Sequence, residues 1–124
     1  MIQLILHLIG DYITQSDWMA QNKTKSWFPA LCHALVYSSL FYFITNYKSF
    51  LAIFITHYFI DRYRLARYVV FTKNFIGYPF PKWKDCKITG YPSSAPPWLA
   101  FWLLIIADNT MHITINYLSI RFIK

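Results

Sequence analysis

The chain contains no glutamate, and its five aspartates face twelve lysines and arginines, so any carboxylate chemistry must run through a few short side chains. Charged residues occupy only 14% of the 124 positions, which excludes the well-solvated surface of an ordinary soluble domain. Cys32 and Cys86 are the only cysteines and form neither a disulfide framework nor a C-x-x-C redox or zinc pair. No solenoid-type repeat is visible. The N-terminal residues lack the basic region and small-residue cleavage site of a signal peptide, so the first helix is expected to be retained.

What the chain has instead is apolar surface: 56% of residues are hydrophobic and 21% aromatic. That balance predicts a small integral membrane protein, a single domain over residues 1–124 with about four helices. The formal charge of +7 would suit nucleic acid if it lay on a polar surface. Arg62, Arg64, Arg67, Lys82, Lys84 and Lys87 gather instead where apolar segments end. Such placement favours lipid headgroups, making membrane lipid the expected partner and nucleic acid not.

Apolar runs and breakers predict helices over residues 2 to about 19, about 27 to 45, about 49 to 68 and about 97 to 120. Pro29 is tolerated in the first turn of the second. Residues 73–97 hold Gly77, Pro79, Pro81, Gly90, Pro92, Pro96 and Pro97, which excludes a continuous helix and predicts a long irregular interfacial segment. The expected fold is therefore all-α, an antiparallel four-helix transmembrane bundle with an irregular connection between helices three and four. Nine basic residues fall on the first and third connections (Lys23, Lys25, Arg62, Arg64, Arg67, Lys73, Lys82, Lys84, Lys87), against Lys48, Arg121 and Lys124 on the other side. In a bacterial inner membrane this asymmetry places both termini away from the cytoplasm.

Within these apolar stretches the polar residues are patterned. His7, Asp11 and Gln15 are spaced by four and would share one helical face. His57 and Asp61 repeat the spacing, and Asp108 and His112 repeat it in reverse. Chance would give such pairs about 0.3 times in this composition, and three are present. His33 lies alone in the second apolar run. In an up-down bundle, all seven His and Asp residues fall within a band of about 13 Å around the midplane of a core about 30 Å thick.

Four imidazoles and three carboxylates converging from four helices match the protein ligands of one or two divalent cations. Mixed His and Asp ligation favours zinc, with manganese or iron next. His7, Asp11, His33, His57, Asp61, Asp108 and His112 are the expected metal ligands. Asp11, Asp61 or Asp108 would bridge metals or take a proton from water, while Gln15 and Asn116 could orient substrate or hold a ligand.

The run His7-x-x-x-Asp11-x-x-x-Gln15-x-x-Trp18-Met19-Ala20-x-Asn22-Lys23, followed by His33-Ala34-Leu35 and Thr56-His57-x-x-x-Asp61-Arg62, resembles a phage and bacterial membrane family of uncharacterised function. It is also remotely similar to membrane-bound metal-dependent hydrolases regulated with the bacterial damage response. The resemblance covers about residues 4–67 and implies a small, phage-type membrane protein with metal-dependent hydrolase activity. A lipid-like or other amphiphilic ester, amide or phosphoester is the expected substrate. The alternatives are a non-enzymatic membrane module with a structural metal that binds a host membrane protein, and a subunit of an ion or proton pathway. Oligomeric state is not legible in the sequence.

Overall fold

The computed structural model describes residues 1–77 and 80–123, so Pro79 and Lys124 of the sequence reading lie outside it. Among these residues the chain is all-helical. Its helices are α1 (Ile2–Tyr12), α2 (Asp17–Asn22), α3 (Trp27–Ser39), α4 (Tyr47–Tyr63), α5 (Ala66–Ile76), α6 (Trp83–Cys86) and α7 (Pro97–Phe122), with a 3₁₀ turn at Tyr42–Ile44. Among the described residues two stretches are long and apolar enough to cross a membrane, Trp27–Ile44 and Pro97–Phe122, where four are expected from the sequence. The difference comes from helix length. At 1.5 Å per residue α1 reaches only about 16 Å, roughly half a bilayer core, whereas α7 reaches about 39 Å.

The expected first helix is broken after Tyr12. The Thr14 amide reaches back five residues to the Ile9 carbonyl (2.9 Å), and the Thr14 hydroxyl donates to the Gly10 carbonyl (3.1 Å), closing α1. Ser16 then caps α2 by accepting from the Met19 amide (3.3 Å), with Asp17 in the first turn. The expected third helix is likewise broken, at Arg64, whose φ of 52° is left-handed and ends α4. The connection 73–97 also begins later than expected, because α5 continues to Ile76, and it contains the short α6.

These elements fall into two compact units. The first comprises Met1–Tyr63 and His112–Lys124. Its apolar centre is Tyr37, Phe41 and Ile53, fully buried, with Leu6, Leu40, Ile44 and Ile120 packed against them. Asn46 caps α4 through the Ser49 amide (2.9 Å) and donates from Nδ2 to the Ile123 carbonyl (2.9 Å). The Ser49 hydroxyl lies 2.9 Å from the carbonyls of both Ser119 and Ile123, so α4 and the end of α7 are joined by polar contacts below the apolar layer.

The second unit, Arg64–Met111, is organised by cations and rings. Arg67 donates to the Lys87 carbonyl (3.1 Å) with its guanidinium over Tyr68, and Tyr68 stacks on Trp83 (centroids 4.9 Å apart). Gly90 adopts a φ of +82° against the Arg67 backbone, where a side chain would collide, and its carbonyl accepts from Asn74 (3.0 Å).

Candidate metal centre

The periodicity that places Tyr37 and Phe41 in the core places His33 one turn before them on α3, and Ile53 leads through His57 to Asp61 on α4. The polar centre of the first unit is therefore a continuation of its apolar core. His33 and His57 are fully buried, Asp61 is nearly so, and Asp11, in the last turn of α1, is partly exposed.

Four atoms converge there. His33 Nε2 and His57 Nε2 lie 3.0 Å apart. Asp61 Oδ2 lies 3.0 Å from the first and 3.2 Å from the second. Asp11 Oδ1 completes the group at 3.3 and 3.5 Å. Ligand atoms of all four residues lie within 4.8 Å of one another.

Both the dimensions and the chemistry of this group fit a small divalent cation. Four N or O atoms at 2.0–2.2 Å from a tetrahedral zinc are separated by about 3.3–3.6 Å, and the five distances above run from 3.0 to 3.5 Å. The group is also short of hydrogens. Each Nε2 faces three polar atoms but carries at most one proton, and ionised carboxylates contribute none. A cation resolves that deficit, and this buried cluster can hold a metal ion.

The outer oxygens are held in a repeated manner. His7 Nδ1 lies 3.5 Å from Asp11 Oδ2, and His112 Nε2 lies 3.3 Å from Asp61 Oδ1. His7 Nδ1 also shares a hydrogen bond with the Tyr37 hydroxyl (2.8 Å), which accepts from Asn116 Nδ2 (2.6 Å). The Tyr37 ring stacks on His57 with centroids 3.6 Å apart and planes 16° apart. On the remaining side Lys23 Nζ lies 2.7 Å from Asp61 Oδ2. His33 Nδ1 and His57 Nδ1 are buried with no hydrogen-bond partner among the described residues.

Of the seven ligands expected from sequence, four therefore converge, while His7 and His112 stand behind the carboxylates. Asp108 belongs to the second unit, where its charge acts on Arg64: burial and neighbouring Arg67 lower the Arg64 guanidinium below its ordinary value, and Asp108 opposes them. Gln15 falls in the break between α1 and α2, so the face shared by His7 and Asp11 ends before it, and its Oε1 is buried with no hydrogen-bond partner among the described residues.

Tyr37 and Lys23 were not anticipated. The spacing His33-x-x-x-Tyr37 repeats the i, i+4 rule and could have located the tyrosine. Lys23 carries no comparable signal, being one of several polar residues in a connection. Gly10 permits α1 to approach Tyr37, because a methyl group there would run into the Tyr37 ring. Gly10→Ala is expected to destabilise the protein by about 1–3 kcal/mol through overpacking, read as a lower midpoint of unfolding.

No curated protein and no solved structure matches the chain. Residues 1–80, which contain α1 to α5 and all four convergent residues, match the family model described as a protein of unknown function, DUF3307, and the chain belongs to that family.

Proposed function

We propose that this chain is a membrane-embedded metal-dependent hydrolase acting on a lipid-like or other amphiphilic ester, amide or phosphoester. In this reading it sits in the bacterial inner membrane, with Trp27–Ile44 and Pro97–Phe122 as its spans and both termini on the non-cytoplasmic side. The observation that carries the reading is the convergence of one ligand atom each from Asp11, His33, His57 and Asp61 within 4.8 Å of one another. Zinc suits that donor set first, with manganese or iron next, and a second ion would draw on His7 or His112.

A bound divalent ion supplies Lewis acidity and a water acidic enough to react near neutral pH. The protein's own residues do the rest. His33 and His57, fixed by burial and by the Tyr37 ring, keep one side of the site dry. Asp11 is the more exposed carboxylate and would take the water's proton, with His7 Nδ1 3.5 Å from its Oδ2 to hold it in place.

A second reading, a non-enzymatic module that binds a host membrane protein and is stapled by its metal, is favoured by the near-complete burial of His33, His57 and Asp61. One experiment separates them. Protein purified in detergent without added metal is analysed for its elements, then assayed on a medium-chain p-nitrophenyl ester, an N-acyl amide and a lipid-like phosphodiester. We expect metal near one equivalent, with hydrolysis that chelation stops and metal restores. Metal without turnover on any substrate supports the stapled module, and absence of metal defeats both readings.

A further inference from the structure

Lys23 sits where a metal-binding site would not be expected to keep a cation. Its ammonium is 2.7 Å from Asp61 Oδ2, the same oxygen that faces His33 Nε2 at 3.0 Å and His57 Nε2 at 3.2 Å. The lysine side chain is largely buried, with 19% of its surface exposed. The chain that carries it is anchored from the other side of the same aspartate. Arg62, the next residue after Asp61, donates from Nη1 to the Thr24 carbonyl (2.6 Å) and from Nη2 to the Lys25 carbonyl (3.5 Å).

Charge balance decides what this arrangement can do. Asp11 and Asp61 together neutralise one divalent ion. If Lys23 stayed in place beside that ion, the site would hold one positive charge too many in surroundings that screen it poorly. The ammonium and the ion would also compete for one oxygen. Without the ion, the same ammonium is what makes a buried, ionised Asp61 tolerable.

We propose that Lys23 is a displaceable internal cation, which holds Asp61 while the Asp–His cluster is free of metal and yields that oxygen when a divalent ion binds. The proposal rests on the metal-binding reading of the cluster. The grip of Arg62 on Thr24 and Lys25 keeps the displaced lysine close to the site. The loaded site then carries a surplus positive charge, and an oxyanion is the ligand class that this charge recruits.

The test uses the full chain in detergent, with zinc as the probe and a competing chelator to report affinity. Lys23→Gln and Lys23→Met remove the competing charge, and Gln keeps a donor for Asp61 should Met fail to fold. Both are expected to bind zinc about 10- to 100-fold more tightly than the wild type, since a charge-assisted hydrogen bond no longer has to be broken. Lys23→Arg keeps the charge and gains no affinity. In zinc-loaded protein, inorganic phosphate is expected to bind the wild type and to lose affinity in Lys23→Gln. Zinc affinity in the Gln and Met variants equal to or below that of the wild type overturns the proposal while leaving the metal site standing. Failure of the wild type to bind zinc, manganese or iron overturns both, and equal phosphate affinity with and without Lys23 removes the oxyanion role.

Discussion

Asp61→Asn is expected to lower bound metal at least tenfold relative to the wild type, as read by elemental analysis of protein purified in parallel. The substitution preserves volume and removes one charge, so it isolates electrostatics from packing. Asp61 occupies the position with most at stake, because its Oδ2 faces His33, His57 and Lys23 while its Oδ1 faces His112. Asp61→Ala goes further. It takes the carboxylate from a buried ammonium and three imidazoles, and removal of one partner from such a buried charge group costs about 3–5 kcal/mol. In a protein of this size that is much of the total stability. We expect the alanine variant to express poorly or to unfold tens of degrees earlier, with the asparagine variant folded but metal-poor. Wild-type metal content in Asp61→Asn would rule out the assigned ligand set.

The second large effect belongs to Tyr37. Its ring lies in the apolar centre with Phe41 and Ile53, while its hydroxyl reaches His7 and Asn116, so one side chain joins the core to the polar group above it. Tyr37→Ala is expected to cost about 3–5 kcal/mol, the range for deleting a large buried side chain. Tyr37→Phe keeps the stack on His57 and removes only the hydroxyl, taking a hydrogen-bond partner from each of two buried groups for about 3 kcal/mol. Chemical unfolding in detergent gives both values. Metal content then distinguishes two roles: Phe should retain metal, because the hydroxyl bonds His7 and Asn116 behind the convergent group, whereas Ala should lose it as His57 loosens. A phenylalanine variant as stable as the wild type would show that His7 and Asn116 are satisfied without the Tyr37 hydroxyl.

How far the sequence could lead depended on periodicity. Spacing by four marks His7 with Asp11 and His57 with Asp61, and hydrophobic length marks the stretches around α3 and α7, because both signals survive in a regular helix. They stop where the backbone stops being regular. The break after Tyr12 depends on one hydroxyl turning back to Gly10, and the break at Arg64 on one left-handed residue; both fall in polar stretches, and a count of spacings registers neither, although Ser16 before Asp17 is a capping signal. For the same reason Gln15 was placed on a face that ends before reaching it. Sorting convergent residues from supporting ones was also beyond a count of spacings. His7 and His57 have the same spacing to an aspartate, but His57 directs Nε2 at the inner oxygens and His7 directs Nδ1 at the outer one. Rotamers decide that, and rotamers depend on partners from other helices.

The two breaks have a shared electrical consequence. Each follows closely on a convergent carboxylate: Asp11 lies in the last turn of α1, and Asp61 in the last turn of α4. A helix carries roughly half an elementary negative charge at its C-terminal end from its aligned peptide dipoles. Two such ends stand beside the two aspartates, and the backbone thereby adds negative potential to that of the side chains. The preference of this place for a cation is thus partly written into where its helices stop.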